Sequence, residues 1–476
     1  MLTTHKNDIL KITLEESICF AKLSGDFNPI HIDPVYSRRL LFGETIVHGL
    51  HVVLLAINEF AKKAAPSDEV LKELKVKFLK AIVTESCFKV KIIRHKLSVY
   101  EAIILQNEYV MQKIQFSTVR NGGKRVEVKN RAFVAEQPQE QVLEGLDDAG
   151  GQVELSIEKE LATHLFPHAL DWIGGKSLAN ILACTRIVGM KCPGLNSIFI
   201  SLNIEINSFI TNYETIDYKV NMYRKEMGLI KIDIKSIGLK GDMEVILRNP
   251  PVSQPLLAEF NSIILKSTFD KCNVVIFGGS RGIGEAIAKM FSAGGGKVLI
   301  TYFQGKTDAE AIQREINAYG GDCSITHYDA LNPNGSSPVI DWIPTDFVYC
   351  PTPPITPSKK WSSERFKLYC DYYVISLIKC LEWLSDKWSF EKKPNFYFLS
   401  TSFLNSPENS LKEYMAAKSA GEIAGTAWSN KRNINFVVKR LPRLPTDQTN
   451  GLASVYLESM CDVLYEQFYA STLGCP

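Results

Sequence analysis

The chain has 476 residues, 45% of them hydrophobic and 22% charged, with a formal net charge of +2. That balance is ordinary for globular proteins and gives no basic surplus for nucleic acid or an anionic membrane surface. No apolar run reaches the ~18 residues of a membrane-spanning helix, and the N-terminal "MLTTHKNDILKITLEES" has no basic stretch leading into an apolar core, so neither a membrane span nor a secretory signal is expected.

At ~100–200 residues per domain, this length predicts two to four domains. Two breaks are visible. The stretch 136–152, "EQPQEQVLEGLDDAGGQ", is polar and aperiodic and is expected to be a linker. At 248–260, "RNPPVSQPLLAEF", a Pro cluster is expected to stop any regular element. The expected domains are 1–135, 150–250 and 268–476. The eleven cysteines are scattered, with no CxxC pair. They are expected to be reduced thiols of a cytoplasmic protein, and no metal site is expected.

In the first block, "SGDFNPIHID" (24–33) sets a carboxylate and an imidazole, Asp26 and His31, five positions apart. Two such groups can serve as acid and base on one substrate; they can equally be surface polars. Residues 48–63 carry Leu50, Val53, Leu54, Ile57 and Phe60 at the spacing of one apolar helical face. Alternating segments at 74–79, 88–93, 101–110 and 113–120 predict strands with one buried face. The second block repeats this layout, with a helix at 177–190 and strands at 198–206, 216–223, 229–236 and 243–248. One helix followed by an antiparallel meander, twice, predicts a helix wrapped by a curved sheet, duplicated in tandem.

The third block changes character. "NVVIFGG" (273–279) predicts a buried strand running into glycines, 285–296 a helix ended by glycines, and "KVLITYF" (297–303) a second apolar strand. The β-α-β alternation predicts a doubly wound parallel sheet. Within it, "GGSRGIG" (278–284) joins strand to helix. Gly278 permits a tight turn, Gly282 leaves no Cβ between backbone and a pyrophosphate, and Gly284 lets helix approach sheet. The expected nucleotide cradle comprises Gly278, Ser280, Arg281, Gly282, Ile283 and Gly284. "LITYFQGK" (299–306), which includes Tyr302, ends the second strand without the acid that would hold a ribose 2′-hydroxyl, and Arg281 offers a cation for a 2′-phosphate. NADPH (NADP) is therefore the expected cofactor. Asp329, after the third strand, is placed either to touch the adenine or to make a turn.

The block from about 270 onward resembles the short-chain dehydrogenase/reductase family, whose signature is a Tyr and a Lys four residues apart on a helix with a Ser about thirteen residues earlier. "EYMAAKSAGE" (413–422) supplies Tyr414 and Lys418, one helical turn apart. In the family the Lys lowers the Tyr pKa and binds the nicotinamide ribose, and the Tyr protonates the substrate carbonyl as hydride arrives. The usual Ser position holds Thr401, flanked by Ser400 and Ser402. Other departures are "CPTPPI" (350–355) in place of Asn-Asn-Ala-Gly, Tyr373 where the mid-helix Asn belongs, and Pro442–Arg443 in place of Pro-Gly. They imply specialised substrate loops and an altered proton relay.

"FAKLSGDFNPIHIDPVYSRRLLFGETIVHG" (20–49) resembles the signature of the MaoC-like, (R)-specific enoyl-CoA hydratases. The pattern is met at Ser24, Gly25, Asp26, Asn28, Pro29, His31, Asp33, Phe42, Gly43, His48 and Gly49. The resemblance implies a hot-dog fold, with Asp26 and His31 serving the α-proton and the hydroxyl leaving group of a 3-hydroxyacyl thioester. It gives Asn28 the water or hydroxyl, and gives the Gly49 amide the thioester carbonyl as an enolate-like charge develops. His48 and His51 are expected to be structural or pocket-lining, and Asp33 to orient or cap. The second block lacks the dyad; His168 and Asp171 do not fit its spacing. It resembles a degenerate hot-dog half whose expected role is to shape an acyl tunnel.

The fold class expected is multidomain α+β and α/β: tandem hot-dog domains followed by a Rossmann-type sheet. The activities expected are NADPH-dependent reduction of a 3-ketoacyl thioester and dehydration of the resulting 3-hydroxyacyl thioester, on an acyl-CoA or acyl-carrier-protein partner. A homo-oligomer is expected by analogy. Two alternatives stay open: hydration followed by oxidation, and a dehydratase carrying a nucleotide-binding domain without turnover.

Overall fold

The computed structural model describes residues 9–40, 42–120, 128–140, 146–207, 213–335, 338, 340–430, 432–450 and 457–469. The chain divides at Pro250/Pro251 into two compact units. The first two predicted blocks both lie in the first unit. The reason is a single ten-stranded sheet, antiparallel throughout, in the order Ile9–Lys11, Cys87–Lys96, Val99–Gln106, Tyr109–Arg120, Glu69–Phe78, Ser197–Ile206, Leu239–Leu247, Leu229–Ser236, Thr215–Arg224, Gly150–Glu154. The halves join at its centre, where Glu73 pairs with Glu205 and Lys77 with Ser201. Neither half leaves a bare edge where the other begins, which removes a site of unwanted pairing.

One face of this sheet buries two helices. Gly49–Lys63 sinks Leu50, Val53, Leu54, Ile57 and Phe60 into the core, as its periodicity predicts. Pro167–Arg186 is buried from Ser177 to Arg186 and continues as a π-turn, Ile187–Lys191. It begins ten residues before the predicted start at 177. Pro167 suits a first helical turn, and the non-helical Gly174 (φ 77°, ψ 159°) kinks the helix, which hides its period.

Two further expectations need correction. The predicted strand 101–110 is two strands turning at Asn107 and Glu108, both at positive φ. No Gly marks this turn, so the usual hairpin signal is missing. The predicted linker 136–152 is not a tether where it is described. Gln139 donates its N–H to the Met190 carbonyl, and Leu195 donates back to the Gln139 carbonyl. Gly150–Glu154 is the last strand of the sheet, and a β-carbon on Gly151 would reach within 2.8 Å of the Tyr218 hydroxyl. These glycines serve close strand approach, not flexibility. Residues 141–145 lie outside the described residues. In the second predicted break, the helix Leu257–Ile263 starts directly after the Pro cluster.

The second unit holds a six-stranded parallel sheet in the order Asp322–His327, Lys297–Tyr302, Asn273–Phe277, Asp346–Tyr349, Asn395–Thr401, Asn435–Leu441. Counted along the chain this is 3-2-1-4-5-6, the doubly wound order that opens a crevice at the carboxyl ends of its central strands. Apolar clusters fill both faces, one around Val274, Ile276 and Ile300, the other around Val275, Phe277 and Phe347.

Candidate active sites

In the first unit, the helix Leu14–Ser24 ends at Gly25, whose φ of 75° turns the chain sharply. Ser24 fixes that turn: its hydroxyl donates to the Phe20 carbonyl and accepts the Asp26 N–H. The turn drives Asp26 inward, leaving it 1% exposed. His31, on the one-turn helix Pro29–Ile32, is only half-buried. One ligating atom each of Asp26, His31 and His48 lie within 4.8 Å of one another. On its side away from this loop, Asp26 meets Thr185 and Gly189, from the helix and π-turn of the second half.

The protons of this cluster can be placed. His31 Nδ1 lies 2.8 Å from the Ile46 carbonyl, and a carbonyl only accepts, so Nδ1 carries the hydrogen. Nε2 is then the basic nitrogen. His48 bonds the Asp26 carbonyl through Nε2 at 3.0 Å, so its hydrogen is there. The two imidazoles stack with centroids 3.9 Å apart. Burial, then the neighbouring His48, pushes His31 down to about 3. Burial raises Asp26 above the ordinary carboxylate value, while His31 and the Thr185 hydroxyl favour its charged form. His51 stacks on Phe20 at 4.6 Å, and Asp33 caps the next turn by accepting from Val35 and Tyr36.

Asn28 lies next to Asp26 but faces the second half. Its Nδ2 donates to the carbonyls of Gly189, Gly194 and Leu195, and its Oδ1 accepts the Ile30 N–H. These bonds engage both ends of the amide. Gly49 opens the central helix behind His48, where no side chain caps the helix among the described residues. A β-carbon on Gly49 would come within 2.6 Å of the Phe78 ring. His168 and Asp171 are both exposed, and Asn58 Oδ1 accepts the main-chain N–H groups of His168 and Ala169.

Sequence reasoning missed two residues of this site. Thr185 donates its hydroxyl to Asp26 Oδ2 at 2.6 Å. Gly189 packs against the same carboxylate, and a β-carbon there would overlap it. Both are about 160 positions from Asp26, so no local spacing could reveal them.

The second unit carries the glycine loop in the predicted place. Gly278 (φ 73°) and Gly282 (φ 58°) turn the chain at positive φ, and a β-carbon on Gly284 would overlap the Gly278 carbonyl. Thr301 anchors the loop, its hydroxyl and carbonyl accepting the N–H groups of Gly278 and Gly279. The helix Gly282–Ala293 starts there, and no side chain caps it among the described residues. A β-carbon on Gly282 would find nothing nearer than Thr446, 3.7 Å away. Open space, uncapped N–H groups and a helix N-terminus together fit a diphosphate. Ser280 is buried in the loop, and Ile283 follows in the first turn. Arg281 is one-third exposed, 3.9 Å from Asp447. Tyr302 ends the second strand against His327. Asp329 makes a turn, accepting the Leu331 N–H at 2.9 Å.

Tyr414 and Lys418 lie on the helix Lys412–Ser429 beside the strand that ends at Thr401. The Thr401 hydroxyl bonds the Tyr414 phenol, which burial otherwise holds well above its ordinary pKa. Lys418 is buried; its Nζ donates to the Leu399 carbonyl at 2.6 Å and sits 3.8 Å from the centre of the Tyr373 ring. Burial pushes its pKa down to about 7. The Tyr373 hydroxyl meets Thr352 Oγ1 at 2.5 Å, and the rings of Tyr369 and Tyr373 both stand edge-on to Tyr414. Ser402 follows Thr401 in a short 3₁₀ turn and is half-buried.

Residues 3–115 match the family described as MaoC like domain. A 79-residue stretch is 33% identical to the peroxisomal hydratase-dehydrogenase-epimerase of Saccharomyces cerevisiae, covering 17% of this chain and only 8% of that protein. Among solved structures, a short chain dehydrogenase from Burkholderia cenocepacia in complex with NADP is similar at 17% identity and a TM-score of 0.35, over 42% of this chain and 91% of that one. A 3-oxoacyl (acyl-carrier-protein) reductase from Agrobacterium tumefaciens with NADP bound is similar at 19% identity and a TM-score of 0.34, over 39% of this chain and 76% of that one. No helix among the described residues is long and apolar enough to cross a membrane. Ten cysteines are free among the described residues.

Proposed function

We propose that the chain is a bifunctional acyl-thioester enzyme that reduces a 3-ketoacyl thioester with NADPH and dehydrates the product to a trans-2-enoyl thioester. The observation that carries the dehydration is the juxtaposition of Asp26 with a His31 whose Nε2 is free of its proton. The α-proton is weakly acidic and hydroxide leaves poorly, so the step needs both a base and an acid. Asp26 and His31 serve these two ends, and reverse roles for hydration. The uncapped N–H groups at Gly49 favour the negative charge that grows on the thioester oxygen. Asn28 holds the dyad loop to the second half, which is a hot-dog half without a dyad and lines the acyl tunnel.

In the second unit, NADPH supplies hydride when bound. Gly278–Gly284 hold its diphosphate, Arg281 its 2′-phosphate, and Tyr302 and Asp329 flank the adenosine end. Tyr414 gives its phenolic proton to the developing alkoxide, with Lys418 and Thr401 beside it, and Ser402 borders the acyl group. The carrier is CoA or an acyl-carrier protein, and the assembly is a homo-oligomer in a reducing compartment such as the cytosol. The name of the yeast relative pairs a hydratase with a dehydrogenase, which favours a second reading, hydration followed by oxidation.

The test is an assay of 3-ketoacyl and 3-hydroxyacyl thioesters of varied length with NADPH and with NADH. Preference for NADPH in the reducing direction supports synthesis; preference for NAD in oxidation supports the second reading. Asp26→Asn should abolish hydration of crotonyl-CoA, and Tyr414→Phe should abolish reduction. Hydration that survives the first change, or reduction that survives the second, would remove that half of the proposal.

A further inference from the structure

We infer that Thr185, on the helix of the dyad-less half, is a positioning residue for the reaction at Asp26. This rests on Asp26 belonging to the acid–base pair. Asp26 is buried and has two carboxylate oxygens to satisfy. Oδ1 accepts the Asn28 N–H at 3.2 Å, within its own loop. Oδ2 is served from the other half by Thr185 Oγ1, at the short distance of 2.6 Å. Both residues are buried, Asp26 to 1% and Thr185 to 4% exposure.

The helix is built to deliver this bond. A helical Thr commonly turns its hydroxyl back to the carbonyl one turn earlier. Thr185 instead directs it outward to Asp26. Its β-branch restricts χ1, which limits the directions the hydroxyl can take. One turn on, Gly189 in the π-turn brings bare backbone against the carboxylate, and the Asn28 amide clamps the Gly189 carbonyl at 3.0 Å. The carboxylate is therefore confined between its own loop and residues 185–189. The charged and titratable groups facing it are His31 on its loop, His48 at the start of the central helix, and Arg186 on the helix of Thr185. Thr185 is the neutral side-chain donor to the carboxylate, and it favours the carboxylate over the carboxylic acid. The second half thereby sets both the orientation and the charge state of an acid–base group it does not contain.

The test compares Thr185→Val and Thr185→Ser with the wild-type chain in crotonyl-CoA hydration from pH 5 to 9. A bond from a neutral hydroxyl to a carboxylate is worth about tenfold to a hundredfold. The Val variant should lose about that factor in kcat with KM changed by less than about threefold, and its acid limb should move up by roughly one pH unit. The Ser variant should keep the wild-type limb. A Val variant with unchanged kcat and limb, or a Ser variant as impaired as Val, overturns the inference. If the Val variant does not fold, Thr185→Cys, a weaker donor of similar size, takes its place with the same expectation. A wild-type chain inactive on every enoyl thioester refutes the hydratase instead. Thr185 is then judged by the ¹³C-carboxyl titration of Asp26, assigned by its loss in Asp26→Asn. That titration moves up in the Val variant if the inference holds and stays in place if it fails.

Discussion

Gly189 and Asp26 are packed so closely that the glycine α-carbon leaves no room for a methyl group beside the carboxylate. The contact joins the π-turn of the second half to the loop that carries the acid–base pair. Gly189→Ala must push either the carboxylate or the π-turn aside. Overpacking of this kind costs about 1–3 kcal/mol. The expected outcome is a chain that folds with a lowered melting temperature and loses crotonyl-CoA hydration by more than about a hundredfold, since displacing a reacting group by ~1 Å has that effect. Hydration near the wild-type rate in Gly189→Ala would show that the site tolerates a displaced Asp26.

A second prediction concerns acid stability of the first unit. His48 and His51 are buried, and burial holds each at about 3, against about 6.5 in an unfolded chain. Between those values the unfolded state binds protons that the folded state refuses. The stability these two residues contribute is complete above pH 6.5 and is lost as pH falls toward 3. Each contributes a slope of at most about 1.4 kcal/mol per pH unit. Asp26 acts in the opposite sense, because its raised pKa lets the folded state keep a proton above the usual carboxylate range. Hydrogen exchange of the Gly49–Lys63 amides should report a steady loss of protection from pH 7 to pH 5. His51→Leu should flatten that slope. A pH-independent opening free energy would contradict the burial argument.

The sequence made some of this site legible and concealed the rest for physical reasons. Asp26, His31 and the turn that buries Asp26 lie within ten residues, so their spacing carries the chemistry. The glycine loop is similar: strand, turn and helix are local, and each glycine has a local steric role. Thr185 and Gly189 act across the sheet, and a Thr in an apolar helix looks like any other core residue. Gly150 and Gly151 look like linker because small residues between polar ones usually are; their close pairing with Tyr218 and Lys219 exists only once the sheet forms. The hairpin at Asn107 and Glu108 is hidden because Glu rarely takes positive φ, and the surrounding strands impose it.

The last prediction concerns Lys418. Its Nζ is buried between the Leu399 carbonyl, 2.6 Å away, and the face of Tyr373, 3.8 Å away. Burial favours the neutral amine, while the carbonyl and the ring favour the cation. With its pKa held at about 7, Lys418 is charged below that pH and neutral above it. If reduction needs the cation beside Tyr414, kcat/KM for 3-ketoacyl reduction falls as pH rises through about 7. Lys418→Arg, which cannot lose its charge in this range, should remove that limb whatever it does to the maximal rate. Tyr373→Leu withdraws the ring from the cation and should move the limb to lower pH, whereas Tyr373→Phe keeps the ring and should leave it near its original place. Tyr373→Phe also breaks the 2.5 Å contact with Thr352. A drop in kcat for Phe without a moved limb assigns the hydroxyl to proton delivery and the ring to Lys418. A limb that Tyr373→Leu leaves unmoved would mean that the ring does not hold the charge, which the Leu399 carbonyl and Glu422 then favour.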